Sequence, residues 1–378
     1  MKRILLLLAA VSLVALLVGC GGGSDSGGSD SKAKYTIIYA GVSDSEIEPS
    51  LKAEINDMGS VDIDKDIKIC LQYKFGPEPT TRRGIVSKGM TWDKYDTIDP
   101  KDMGSKDTLV EYINWAKKQC PAQKYILYFS SHGSGWNPCF DTKAVMHDDE
   151  GDPGYIEDYQ IAEIGKECGI NAVIFDNCLM ACMENLTLIK DSFEYAVGSE
   201  HSICGYDKKI LIQALNKGGD LRTVLKSFVT NQAPESLKVG DDIHLYDLSQ
   251  IDAVVAAIKP ISEFLINNCD TYGTQFEYAR KQCEDFYDVS ECGIVDFVQY
   301  LANVENFVPS IETDLEKYGT NLKKALDKAS LVESDNTTGI SVNFPKKDTY
   351  INYYGNYENT PFAQKSGWND FLYKLYVD

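Results

Sequence analysis

Two side chains of the types needed for nucleophilic catalysis stand just past two apolar runs. His132 follows Tyr125-Ile-Leu-Tyr-Phe-Ser-Ser131, and Cys178 follows Asn171-Ala-Val-Ile-Phe175 and the polar pair Asp176-Asn177. A short apolar run that stops at a polar turn reads as a central strand of a parallel sheet, and open α/β folds place their sites at the carboxyl ends of such strands. A thiol and an imidazole delivered to one sheet edge make a nucleophile and its acid/base partner. Singly, each reads more simply as structural, because a buried cysteine behaves as a small hydrophobe and a His-Gly pair is a weak signal. On neighbouring strands the two together favour catalysis. The chain has only four histidines, His132, His147, His201 and His244, so acid/base candidates are few. Gly133, Ser134 and Gly135 follow His132, and glycine lets a backbone approach a ligand closely. The stretch Leu179 to Lys190 has the pattern of a helix. A thiol at its amino end would feel the positive pole of the helix dipole and favour the thiolate.

The elements that must position this pair alternate. Tyr35 to Ala40 and Ile67 to Tyr73 read as strands, with an acidic helix near Ile47 to Met58 between them. Thr91 to Lys106 is a polar connection. Ser105 to Lys118 is a helix whose Leu109, Tyr112, Ile113 and Ala116 share one face. After the strand leading to His132 come a loop from Gly135 to Asp152, a helix from Glu157 to Cys168, and the strand leading to Cys178. Such alternation implies an α/β fold, a mainly parallel central sheet covered by helices on both faces. Beyond residue 250 helices dominate (Ile251 to Asn267, Thr274 to Asp285, Val295 to Val304, Ile311 to Lys328), with one late strand from Gly339 to Phe344. The reading therefore places a catalytic domain over 35–250 and a mostly helical C-terminal region over 251–378.

The amino terminus reads as an address. Lys2 and Arg3 precede an apolar stretch from Ile4 to Val18, broken only by Ser12 and ended by Gly19-Cys20, which is the layout of a secretory signal over 1–19. It is short of the roughly twenty apolar residues that span a bilayer. The Leu17-Val-Gly-Cys20 ending resembles a bacterial lipobox, which makes Cys20 the expected lipid-bearing residue of an exported, envelope-anchored protein; cleaved soluble export and an uncleaved anchor are the alternatives. Residues 20–34 then form a flexible Gly/Ser/Asp tether. Loss of Lys2 and Arg3 would make the formal charge of −20 still more negative. Such acidity argues against nucleic acid and anionic lipid as partners and favours cationic ones. The eleven cysteines include no Cys-x-x-Cys pair and show no framework spacing, so zinc and thioredoxin-like chemistry are not indicated.

The order His-Gly after one strand and Asp-x-Cys after the next resembles the caspase-like cysteine peptidases, and the details are similar to the clostripain family. The similar stretches run through nearly the whole chain: Ile37-Ile-Tyr-Ala40, Asn56-Asp-Met58, Tyr112-Ile-Asn-Trp-Ala116, His132-Gly-Ser-Gly-Trp136, Phe175-Asp-Asn-Cys-Leu-Met180 with Glu184, Val197-Gly-Ser-Glu200, Gly205-Tyr206, Gly339-Ile-Ser-Val-Asn-Phe-Pro345 and Gly367-Trp368. The resemblance implies a caspase-like α/β/α sandwich and peptide hydrolysis through a thioester. Cys178 would be the nucleophile, His132 the acid/base, and the N–H groups of Gly133 and Cys178 the oxyanion donors. It also implies cleavage after Arg or Lys, with Asp176 at the base of the P1 pocket, a position from which a carboxylate binds a guanidinium bidentately. Capping of the following helix is the other reading of Asp176. Asn177 stands where the family usually has alanine.

Weaker features complete the picture. Asp207, after Gly205-Tyr206, is a second candidate pocket acid or a solvated loop residue. Within His147-Asp-Asp-Glu-Gly-Asp152, Asp148, Asp149 and Asp152 offer the oxygen ligands a calcium activator takes, though not at EF-hand spacing; a solvated loop is the default. No cofactor is needed for the chemistry itself. Activation by cleavage between the two strands, a property of the family, points to Lys143 as the self-cleavage site. The partners expected are peptides with a basic P1 residue and, through the lipid, a membrane; the chain is expected to act as a monomer. A catalytically silent peptidase-like surface binding module is the alternative function.

Overall fold

A computed structural model describes residues 32–43, 46–76, 80–136, 144–148, 154–203, 205–232, 242–283, 293–332 and 338–378. The first half runs β1 (Ala33–Ser43), α1 (Glu48–Ser60), β2 (Ile67–Phe75), β3 (Thr81–Ile85), β4 (Asp96–Ile98), α2 (Lys106–Gln119), β5 (Ala122–Ser130), β6 (Ala144–His147), β7 (Tyr155–Glu157), α3 (Asp158–Cys168), β8 (Ala172–Asp176), α4 (Met183–Ile189) and β9 (Tyr195–Gly198). The second continues with α5 (Lys208–Lys217), α6 (Leu221–Thr230), β10 (His244–Asp247), α7 (Ile251–Lys281), β11 (Ile294–Asp296), α8 (Phe297–Phe307), α9 (Glu312–Ala329), β12 (Ser330–Val332), β13 (Ser341–Asn343), α10 (Lys347–Tyr357), α11 (Pro361–Ser366) and α12 (Trp368–Tyr376).

Nine strands form the central sheet in the order β12-β10-β9-β8-β5-β1-β2-β3-β4. The five inner strands from β9 to β2 are parallel, and both flanks are antiparallel. Side chains alternate between two cores because successive residues of a strand face opposite ways. Ile38, Ala40, Leu127, Phe129, Val173 and Phe175 pack toward α2, α3, α4 and the C-terminal helices. Tyr35, Ile37, Ile126, Tyr128 and Ile174 pack toward α1, α5 and α6. This is an α/β/α sandwich with a helical C-terminal region, the architecture expected from the alternation of elements.

Three expectations need correction. The segment 91–106 is not merely a connection, since it contains β4, which pairs with β3 at the edge of the sheet. The helices expected over 251–267 and 274–285 are one helix, α7, which runs on through Pro260. Residues 32–378 form one compact unit, and β12 from the later region pairs with β10 in the central sheet. Finally, no helix begins at Leu179; 178–181 is a turn, and α4 starts only at Met183. Among the described residues, no helix is long and apolar enough to cross a membrane.

Candidate active site

Register brings the two chemical residues together. Ser130 of β5 lies opposite Asp176 of β8, so two further residues on each strand carry His132 and Cys178 to the same level beyond the sheet edge. Both line one cleft of about 320 Å³, together with Glu46, Glu54, Asp176, Ile203 and Gly205. Gly133 holds the His132 loop against the other strand end: a Cβ there would lie 2.6 Å from the Cys178 carbonyl oxygen and 2.9 Å from its nitrogen. No larger residue fits that approach.

The turn that carries Cys178 is held from outside rather than by a helix. Leu179 adopts φ 67°, a left-handed conformation that costs a non-glycine residue about 1 kcal/mol or more. Its N–H donates to the His201 carbonyl at 3.0 Å, and the Ala181 N–H donates to Ser199 at 2.9 Å. The Ile203 N–H points at Cys178 Sγ from 3.4 Å. The dipole argument for the thiolate therefore does not apply, because the thiol sits ahead of α4 on a strained turn. The segment 199–201 is anchored in turn by Asp242, which accepts from the Glu200 and His201 N–H groups at 3.1 Å, from Ser199 Oγ, and from His244 Nε2 at 2.7 Å. Burial alone would raise Asp242, but the hydrogen bonds from His244 and Ser199 bring it down to about 2. Glu200, Asp242 and His244 are the cluster of metal-ligand types found among the described residues. Its carboxylate at Asp242 is already engaged by those four donors, and the cluster reads as a buttress of the Cys178 turn.

Asn177 performs a task that alanine could not. Its Nδ2 donates to the carbonyls of Ser131 and His132, each at 2.9 Å, and of Val145 at 2.8 Å. One side chain thus ties the Cys178 turn to the histidine loop and to β6.

Beneath the cleft lies a buried charged group. Lys208, from α5, pairs with Asp176 and, at 2.8 Å, with Glu54 Oε2. Asp176 also accepts from Tyr128 Oη at 2.8 Å and from the Tyr206 N–H at 3.1 Å. Glu54 Oε2 accepts from Tyr39 Oη and Ser130 Oγ, both at 2.9 Å. Burial raises the Glu54 carboxyl, Lys208 opposing it and Asp176 adding to it. Burial works against the Lys208 ammonium, yet the two carboxylates outweigh it and its pKa stands above the ordinary value. Two carboxylates against one ammonium leave this end of the cleft with a net negative charge.

Residues 55–374 match the model of the clostripain family of C11 peptidases. The chain belongs to the clostripain family. It is accordingly a cysteine-type peptidase. Its fold is similar to an inactive zymogen C11 protease from Parabacteroides distasonis, with a TM-score of 0.67 at 15% identity, covering 89% of this chain and 99% of that one. It is equally similar to a secreted C11 cysteine protease from Bacteroides thetaiotaomicron solved with an irreversible peptide inhibitor, with a TM-score of 0.66 at 14% identity and the same coverage of 89% and 99%. No curated protein matches the chain.

In this clostripain-family peptidase the other candidates are scattered. Asp176 does border the cleft but is occupied by Lys208, and its carboxylate caps no helix. Asp207 is the N-cap of α5, accepting from the Lys209 N–H at 2.8 Å, and does not line the cleft. Asp148 does not fit a calcium ligand: it is buried, its oxygens lie 2.8 and 2.9 Å from Lys74 Nζ, and one also accepts the Met103 N–H. It pins the end of β6 to β2. Asp149, Asp152, Lys143 and Cys20 lie outside the described residues. Glu54 and Lys208 were not foreseen. On the sequence, Glu54 is one more acid of a helix that reads as solvated, and nothing near Lys208 announces its burial.

Proposed function

We propose that the protein is an exported, lipid-anchored endopeptidase that cleaves after Arg or Lys, with Cys178 as nucleophile and His132 as general acid/base. The observation that carries this reading is the register of β5 and β8, which brings His132 and Cys178 to one cleft whose far end is acidic. In the first step the Cys178 thiol proton passes to His132, Sγ bonds to the scissile carbonyl carbon, the C–N bond breaks, and His132 gives that proton to the departing amine. Water then attacks the thioester while His132 takes a proton from it, the C–S bond breaks to free the carboxylic acid product, and His132 returns the proton to the sulfur. In this reading the N–H groups of Gly133 and Cys178 stabilise the oxyanion, each such donor contributing roughly 3 kcal/mol. The carboxylates at the cleft end favour a cationic P1 side chain. Acylation at Cys20 and self-cleavage after Lys143 belong to the same proposal.

A fluorogenic peptide with Arg or Lys before the reporter tests the core of it. Turnover should be lost in Cys178→Ala and in His132→Ala; equal turnover in Cys178→Ala would refute the assignment. Mass spectrometry of the active protein should find a chain break after Lys143, and an unnicked chain at full activity would remove that part alone.

A further inference from the structure

We propose that the P1 cation is read by Glu54 of α1, and that Asp176, the acid two residues before the nucleophile, instead serves to fix Lys208. This rests on the preference for basic P1 residues proposed above and assigns the contact that produces it. Asp176 borders the cleft but little of it is open: its side chain is 1% exposed, Lys208 and Tyr128 take its Oδ2, and the Tyr206 N–H takes its Oδ1. Glu54 is different. Its side chain is 13% exposed and divides its two oxygens, Oε2 holding Tyr39, Ser130 and Lys208 while Oε1 turns toward Gly205.

Gly205 supplies the opening. Its φ of 107° is a conformation that residues with a side chain rarely adopt, and a Cβ there would stand 3.1 Å from Glu54 Oε1. The same Cβ would stand 3.7 Å from both Asp176 Oδ1 and Lys208 Nζ. The absent side chain therefore leaves a gap beside Oε1, at a point where the cleft is lined by Glu46, Glu54, Asp176 and Gly205. Lys208 has two roles in this arrangement. It holds Glu54 Oε2 so that Oε1 is aimed, and its ammonium offsets part of the negative charge of the two carboxylates. Of the two acids, Glu54 has the more exposed side chain and the oxygen nearest Gly205.

The test compares substrates with P1 arginine and P1 citrulline, which share shape and differ in charge, on wild type, Glu54→Gln and Asp176→Asn. Each substitution removes one negative charge, so contact and general electrostatics separate. A charge-assisted hydrogen bond is worth roughly 1.5–3 kcal/mol, so the arginine-over-citrulline ratio of kcat/KM should fall by about 100-fold in Glu54→Gln. In Asp176→Asn, where only a shielded charge is removed, it should fall by less than about 10-fold, with the larger drop in melting temperature. Glu54→Asp keeps the charge but withdraws the oxygen, and should lower the ratio if Glu54→Gln does not fold. A larger loss of the ratio in Asp176→Asn than in the Glu54 variants would overturn the assignment. A wild-type ratio near one would remove the basic-P1 reading and this assignment with it.

Discussion

Replacing Asn177 should separate the positioning of the histidine from the chemistry it performs. The side chain is 1% exposed and its Nδ2 serves three carbonyls, of Ser131, His132 and Val145, at 2.8–2.9 Å. The amide has two N–H donors shared among the three carbonyls, so at about 1 kcal/mol of net stability per hydrogen bond their loss in Asn177→Ala amounts to roughly 2 kcal/mol. Against this, Asn177 Oδ1 is buried without a hydrogen-bond partner among the described residues, and its removal relieves a penalty of about 1 kcal/mol. A net destabilisation of about 1 kcal/mol follows, readable by urea denaturation at constant m-value. The kinetic effect should be larger than stability alone explains. With its carbonyl released, His132 is no longer tied to the strand end that carries Cys178, and a displacement of about 1 Å at a reacting group lowers turnover on the order of 100-fold. The loss should fall on kcat more than on KM, because the substrate-binding acids are untouched. Asn177→Asp is the sharper probe, since it has the same shape but sets a carboxylate oxygen against three carbonyl oxygens. It should be worse than alanine in both stability and kcat. An Asn177→Asp protein as stable and active as wild type would refute the clamp.

Three further outcomes can be checked. Glu184 is wholly buried, and burial lifts its carboxyl to about 7 despite hydrogen bonds from Tyr357 Oη at 2.7 Å and the Asn343 N–H at 3.0 Å. An acid raised in the folded state gives its full stability below its unfolded pKa of 4.5 and loses it as pH rises to 7, here about 3 kcal/mol, so Glu184→Gln should flatten the fall in stability over that window; an unchanged slope would count against it. Asp242 is displaced the other way, its stability present above the usual carboxylate range and lost as pH falls toward 2, so acid should loosen the 199–201 segment, seen as faster alkylation of Cys178 once its own ionisation is allowed for. Gly133→Ala forces a methyl to within 2.6 Å of backbone at Cys178 and should abolish peptidase activity in a chain that still folds, whereas retention of half the activity would show that the two loops are not in contact during turnover.

What could be read in advance follows from which forces act locally. The strands β5 and β8 were legible because an inner parallel strand is buried on both faces and so is a continuous apolar run, and their ends marked His132 and Cys178. The antiparallel flank was not. β3 reads Thr-Arg-Arg-Gly-Ile, and what holds Arg83 in a sheet is its hydrogen bond to Gln72 at 2.6 Å and its fork to Glu111 at 2.7 and 2.9 Å, partners far away in the chain. The helix expected at Leu179 failed for the same reason in reverse. Leu-Met-Ala-Cys has the local propensity for helix, but Leu179 and Ala181 give their N–H groups to the 199–201 segment, and those bonds keep the turn extended until Met183. Cys178 thus stands just past the end of β8, as its apolar run implied, but the helix pole expected to favour its thiolate is absent. The pocket acids show the limit most clearly. Asp176 could be picked out by its distance from the nucleophile, yet its chemistry was decided by Lys208, which only the packing of α5 against α1 and the sheet brings beside it. A carboxylate's position can be read from a motif; whether it is open to a substrate depends on which cation the fold has already placed against it.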